Sequence, residues 1–258
     1  MQRKAPIILF AALLFVASLV LCTRENDFPF FYHPDESSKV KQLQTLEWNY
    51  HHPMLLLRTT QALNEATGVR ENAQEVCEQG RAVSAVFTAG ATSLLATTVW
   101  ITFGSYAGVV AGLLLLTNHQ LFELAHYLKE DPSLLFGIAA WLFGLMLYWR
   151  TPGRATAAVL GVGAALALSG KYLGAFAPLL TLGLVPFHAP RGRKLSATLS
   201  FLLPLVATFA AINLPLVLHY SEFRASFDRE VDLAVHGHRG ITRSVPHPVY
   251  LYALRDNI

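Results

Sequence analysis

Charge is what this sequence has little of. Of its 258 residues 14% are charged and 53% are hydrophobic, where soluble domains carry about 25% charged residues. The mean hydropathy is +0.39. A soluble domain of this length needs no set of apolar runs near bilayer length, and a run that crosses a bilayer takes roughly 20 residues. The composition therefore excludes a soluble globular protein and indicates a polytopic membrane protein. The formal net charge of +3 is too small, and too spread along the chain, for a nucleic-acid partner. Cysteine is scarce as well. Cys22 and Cys77 are the two in the chain, so no disulfide framework is indicated. The topology below puts both near the outer face, which allows one bridge, although spacing does not supply the geometry a bridge needs. There is no internal repeat and no low-complexity tract.

Arg3 and Lys4 precede an apolar run over residues 7–21. A positive start and a short apolar run fit a signal peptide. Leu19-Val20-Leu21 ahead of Cys22 carries no small-residue cleavage pattern, so residues 1–22 read as an uncleaved first span with a cytoplasmic N-terminus. Residues 23–80 form a long polar outer loop. Within it Pro34 suits the first turn of a helix. Val40, Leu43 and Leu46 recur every three residues and predict an amphipathic helix on the membrane surface. His51-His52-Pro53 breaks that pattern. Met54, Leu55, Ala62, Leu63 and Ala66 predict a second such helix, stopped by Gly68.

Residues 81–218 read as a transmembrane bundle, with spans over 82–103, 104–117, 134–149, 155–169, 172–185 and 195–218. Residues 219–258 read as an outer C-terminal segment. Alternation from a cytoplasmic N-terminus puts the basic turn 150–154 and the basic loop 191–194 inside, as the positive-inside rule asks. It puts 23–80, 118–131 and 219–258 outside. About seven spans result. The rival count is six, with 104–117 re-entrant, and it places the basic turns on the wrong side.

Several constellations could carry chemistry. Asp35 and Glu36 lie in Tyr32-His33-Pro34-Asp35-Glu36-Ser37-Ser38-Lys39, just beyond the first span, where acids are costly and usually have a job. An aspartate near a helix start is kept ionised by the positive helix end, and an ionised carboxylate can take a proton from a hydroxyl. The same dipeptide also suits a helix start that only caps. Lys129-Glu130-Asp131 lies on the same predicted face, either as a second acidic position or as a solvated charge cluster. His119, Glu123 and His126 share a helix face, as a metal face or, preferably, a polar interfacial stripe. Arg81 and Lys171 sit at span ends, where such residues snorkel; they are also what a phosphate needs. All ten histidines except His188 fall in outer segments or at their edges. His236-Gly237-His238 with His247 has no Cys or acidic partner at a diagnostic metal spacing.

Three segments in order carry a resemblance: Tyr32-His33-Pro34-Asp35-Glu36 with His52-Pro53, then His126-Tyr127-Leu128-Lys129-Glu130-Asp131, then Ser169-Gly170-Lys171-Tyr172. Over roughly residues 5–190 the chain resembles membrane glycosyltransferases of the GT-C class. It looks most like bacterial relatives of the dolichyl-phosphate-mannose protein mannosyltransferases and the lipid A aminoarabinose transferases. The resemblance implies an all-α polytopic protein of the bacterial inner membrane, with its active site on the non-cytoplasmic face. It implies an inverting transfer of sugar from a polyprenyl-phosphate lipid to a hydroxyl-bearing protein, lipid or glycan. In those terms Asp35 is the catalytic base and Glu36 orients the acceptor or supports Asp35. Glu130 and Asp131 form the second acidic or acceptor site, and Lys171 with Arg81 neutralises the donor phosphate. His52, His126, His238 and His247 are outer-loop contacts, the last two through Gly237-His238-Arg239-Gly240 and His247-Pro248-x-Tyr250. No cofactor and no metal ligand is required, with a divalent metal left open.

Members of the class usually continue through more spans, whereas this sequence stops at Arg255-Asp256-Asn257-Ile258. A truncated segment, or half of a split enzyme with a second subunit, is therefore the expectation for the C-terminal part. Two rivals stand beside the enzyme. A transporter or flippase of lipid-linked substrates calls for charges inside the spans and paired broken helices, and here the ionisable residues gather at one rim. The other rival is a non-catalytic fragment.

Overall fold

A computed structural model describes residues 4–236. Among these residues the regular structure is entirely helical: α1 Lys4–Cys22, α2 Pro34–Thr45, α3 Leu55–Thr67, α4 Ala73–Phe103, α5 Ser105–Leu116, α6 His119–Ala125, α7 Asp131–Arg150, α8 Arg154–Gly170, a 3-10 turn Tyr172–Ala175, α9 Phe176–His188, α10 Lys194–Leu218 and α11 Tyr220–His236. The chain divides into two units, residues up to 48 with 52–214, and residues 49–51 with those from 215 onward. In the second unit α11 holds the short segment: Ser226 Oγ donates to the Asn49 carbonyl at 2.6 Å, and His51 Nδ1 lies 3.0 Å from Glu230 Oε1.

Every apolar run of the sequence becomes a helix, but not every one is long enough to cross a bilayer alone. Four helices are long and apolar enough by length and composition, namely α1, α4, α7 and α10. The expected third span is instead a pair, α5 and α6, bent by 58° at the break and long enough only together. Gly104, at φ +100°, makes the turn between α4 and α5, a backbone state that only glycine adopts without strain. Arg154–Gly170 and Tyr172–His188 are shorter apolar helices of 10–17 residues, at or below the short end of what spans. The apolar side chains of Leu13, Val20, Leu203 and Val206 stay more than half exposed. Such surface is what hydrocarbon solvates, and the chain is an integral membrane protein.

α4 also reaches back beyond the expected start of the second span at 82. α4 starts at Ala73, nine residues before its hydropathic part, because Asn72 caps it by accepting from the Gln74 N–H at 3.0 Å. At 1.5 Å per residue its 31 residues make a rod about 46 Å long, well beyond the ~30 Å hydrocarbon core. The two loop helices form as expected. α2 has Pro34 in its first turn, and α3 ends on Gly68 at φ +77°. The cysteines are free thiols, both buried. Cys22 packs with Ala85, eight residues along α4 from Cys77, or about 12 Å of rise. That is beyond the Cα separation a disulfide bridges.

Small residues set the tightest contact. Gly137 of α7 lies against the Ala167 backbone of α8, Gly163 of α8 against Ala140 and Trp141 of α7, and Gly144 against Leu160. With no side chains between them the two helices approach backbone to backbone, which is how helices associate where no hydrophobic drive exists. Trp141 Nε1 donates to Thr181 Oγ1 at 2.8 Å and Tyr148 OH to the Val185 carbonyl at 2.9 Å, which fixes α9 onto this pair. α10 breaks at Asn213 (φ −106°, ψ 20°), two residues before Pro215, whose ring cannot continue the helical ladder. Asn213 uses the break. Its Oδ1 accepts the Met54 N–H at 2.9 Å, and its Nδ2 donates to Ser169 Oγ at 2.8 Å.

A Cβ at Gly137 would overlap the Ala167 backbone, whereas one at Gly183 meets nothing within 4 Å. Gly137→Leu should cost about 1–3 kcal/mol by overpacking and visibly lower the melting temperature of purified protein in detergent. Gly183→Leu should leave it unchanged or raise it. Equal melting of the two variants would refute the close α7–α8 approach.

Candidate active site

The candidate site is built at the start of α2. His33 Nδ1 accepts the Asp35 N–H at 3.2 Å, Pro34 sets the first helical turn, and the two acids that follow part company. Glu36 turns inward and is fully buried; Asp35 turns outward, its side chain 49% exposed. Because His33 Nδ1 is an acceptor here, its 3.9 Å approach to Asp35 Oδ2 is not an ion pair.

Glu36 meets Arg81, also fully buried. Arg81 Nε donates to Glu36 Oε1 at 2.9 Å and one Nη to Oε2 at 2.7 Å. The remaining N–H groups reach the carbonyls of Asn26 (2.9 Å), Phe28 and Pro29 (3.1 Å). A guanidinium has five N–H groups, and all five are used. The Phe28 ring lies under the guanidinium, 3.6 Å from centroid to carbon, a cation–π contact. Glu36 Oε1 also accepts the Leu128 N–H at 3.0 Å. The Glu36 carboxylate thus ties α2 to α4 and to the segment entering α7, and through Arg81 the loop after α1 is held as well.

Arg81 thus has no N–H group left over for a lipid phosphate, and Glu36 has no open face toward an acceptor, which is the placement of the alternative in which it supports Asp35. The buried His126 ring is held by backbone: its Nδ1 lies 2.6 Å from the Phe122 carbonyl and its Nε2 3.0 Å from the carbonyl of Arg24, in the stretch expected as the outer loop. His238 and His247 lie outside the described residues, as do the Gly237-His238-Arg239-Gly240 and His247-Pro248-x-Tyr250 segments. His119 and Glu123 stand on α6, and among the described residues no three of His, Cys, Asp and Glu gather as a metal cluster would.

The second acidic cluster comes to the first. Lys129 Nζ lies 4.0 Å from Asp35 Oδ2 and 3.8 Å from Asp131 Oδ2. Lys171 Nζ donates to Asp131 Oδ1 at 2.9 Å. Asp35, Lys129, Asp131 and Lys171 thus form an alternating row of charges, each partly exposed. Glu130 separates from Asp131: it is buried, with Lys39 Nζ at 3.3 Å and His52 Nε2 at 3.9 Å from its Oε2. The ammonium of Lys171 has three N–H groups, and among the described residues it bonds Asp131 alone, which leaves two for another anion. Tyr127 packs its ring 4.7 Å from that of His33. Burial, then the neighbouring Tyr32, Glu123 and Glu36, push its phenol above the ordinary value, so it stays a neutral hydroxyl beside the row.

Lys39 was not singled out from the sequence, yet a signal existed. The apolar stripe Val40 and Leu43, carried back one turn, puts Glu36 and Lys39 on the same buried face. The five-fold clamp of Arg81 had no such signal, because its partners are a side chain and three carbonyls 45 to 55 residues away.

The model of the family described as dolichyl-phosphate-mannose-protein mannosyltransferase matches residues 64–229. The chain belongs to this family. The matched stretch takes in Arg81, Glu130, Asp131 and Lys171 and begins after Asp35 and Glu36. No protein with a curated description matches. Among solved structures the chain is similar to the S. cerevisiae protein O-mannosyltransferase Pmt1-Pmt2 complex bound to the sugar donor, with a TM-score of 0.68 and 18% identity. That likeness covers 84% of this chain and 34% of the yeast chain. The mannosyltransferase fold is therefore shared, and the chain spans about a third of the length of this relative.

Removing one partner of a buried charge pair costs about 3–5 kcal/mol. Arg81→Met should therefore deplete monodisperse protein in size-exclusion chromatography. Arg81→Lys should do nearly the same, since a lysine cannot replace a five-donor fork. Arg81→Lys with wild-type melting would show that the fork is not what holds the loop.

Proposed function

We propose that this chain is the catalytic module of a glycosyltransferase that moves a sugar from a polyprenyl-phosphate lipid to an acceptor hydroxyl, on the non-cytoplasmic side of the membrane. The observation that carries the reading is Asp35: a half-exposed carboxylate, held by the Glu36–Arg81 clamp behind it, in a row with two lysines.

Asp35 accepts the proton of the acceptor hydroxyl as that oxygen attacks the anomeric carbon. The new carbon–oxygen bond forms on one face while the bond to the phosphate oxygen breaks on the other, which inverts the centre. The electron pair leaves with the polyprenyl phosphate. Lys171, with two N–H groups beyond its bond to Asp131, and Lys129 beside it supply preorganised positive charge where the leaving phosphate gains negative charge. Asp131 orients both lysines; Glu130 is a buried support. The family's description as dolichyl-phosphate-mannose-protein mannosyltransferase makes a polyprenyl-phosphate mannose the first donor to try. The acceptor is a protein, lipid or glycan hydroxyl, and no cofactor enters the scheme.

The test is transfer from radiolabelled polyprenyl-phosphate sugars by purified protein in lipid. Loss of the base should lower turnover by about 10²–10⁴-fold, so Asp35→Asn should fold normally and lose transfer to that extent. Turnover equal to wild type would remove Asp35 from the base role. Transfer in EDTA should equal transfer without it; a loss restored by a divalent ion would bring a metal into the mechanism. Sugar that crosses the membrane still attached to its lipid would replace the enzyme with a flippase.

A second reading rests on the 34% coverage of the yeast chain: a module that turns over only with further spans or a second subunit. Well-folded protein that binds donor without transferring sugar would favour it.

A further inference from the structure

The other end of α7 and α8 carries a site of opposite character. From Pro132 to Ser221 the sequence contains no Asp or Glu. The same stretch holds Arg150, Arg154, Arg191, Arg193 and Lys194, all exposed, and among the described residues none is in an ion pair with a carboxylate. These cations sit about 30 Å from the acidic row, the length of the 20-residue α7.

Two of them, Arg154 and Arg193, line a cavity of about 560 Å³ together with Pro152, Gly153, Gly192 and Ser196. Its walls are tied to each other. His188 Nε2 donates to the Trp149 carbonyl at 2.9 Å, and the two rings stack 4.4 Å apart at 4°. With the Tyr148–Val185 bond, this fixes the α7–α8 turn against the α9–α10 turn. Gly192, at φ +81°, shapes the second turn. The first residues of α8 and α10 form the rim, so two helix starts add partial positive charge to that of Arg154 and Arg193. Leu195, between Lys194 and the cavity-lining Ser196, is 73% exposed, and Phe187, in the last turn of α9, is 85% exposed.

We propose that this cleft binds the phosphate of an anionic phospholipid, with Arg154 and Arg193 on the phosphate and the acyl chains along the Leu195 and Phe187 surface. Cationic pockets between helices at a membrane interface are suited to acidic headgroups. The uncompensated arginines, the preformed volume and the adjoining apolar surface are the three features such a lipid requires. An isolated inorganic phosphate would use only the first two.

The experiment uses the full chain, purified in detergent and exposed to spin-labelled phosphatidylglycerol or phosphatidylcholine. Wild type should enrich phosphatidylglycerol over phosphatidylcholine. At about a fivefold affinity per cation, Arg154→Gln with Arg193→Gln should weaken that enrichment roughly 25-fold. Arg191→Gln with Lys194→Gln removes the same charge outside the lining and should weaken it far less. Equal losses in the two double variants would reduce the effect to surface charge and overturn the site. So would an absence of preference in wild type. Inorganic phosphate provides the second arm. Competition only at far higher concentration than the lipid supports a lipid site, and equal affinity overturns the lipid assignment.

Discussion

The buried ion pair between Glu36 and Arg81 is the constraint on which the candidate site depends. Two charges out of water are expensive, and their attraction offsets that cost only when the remaining donors are satisfied. Here they are: two carboxylate oxygens and three backbone carbonyls take all five guanidinium N–H groups. The carbonyls belong to residues 26, 28 and 29, a stretch without helical structure of its own, so Arg81 supplies the partners that secondary structure would otherwise provide. The same carboxylate takes the Leu128 N–H and so sets the entry to α7. Asp35 and Asp131, 96 residues apart in sequence, are brought into one row by a group that touches neither.

That arrangement divides labour among residues of the same type. Each acidic pair consists of neighbours in sequence, and in each pair one member is buried. Glu36 faces Arg81 while Asp35 faces outward; Glu130 faces Lys39 while Asp131 faces Lys171. The inner members bear on folding and the outer ones on what the rim can bind. A low-dielectric interior behind the row strengthens the field of the outer charges, since less solvent screens them.

Much of the helical layout was legible. Pro34 and Gly68 marked helix ends through backbone chemistry that needs no partner, and the apolar runs marked their helices because lipid asks for uniform hydrophobicity. The limits of α4 were not legible. Its first two turns are polar, held by the Asn72 cap, and hydropathy does not register a helix that continues past its apolar part. The break after the third apolar run was not legible either: 104–117 is almost wholly apolar, and nothing in its composition reveals the 58° bend that follows. At the site, Asp35 and Asp131 could be read as acids at a rim. The burial of Glu36 leaves a trace in the stripe it shares with Val40 and Leu43, but that of Arg81 and Glu130 does not, because it follows from partners far apart in sequence.

The helices differ in reach, and the lipid must answer. α4, of 31 residues, is longer than any bilayer core, while α8, of 17, offers about 25 Å. Hydrocarbon of average thickness does not match so short a helix, and the mismatch is relieved by local thinning of the bilayer or by snorkelling of flanking residues. α8 ends at Gly170, one residue before Lys171. A membrane drawn thin on that flank would bring its headgroup plane down toward the Lys171 ammonium, and a long polyprenyl chain would not need to lift its phosphate out of the lipid to reach it.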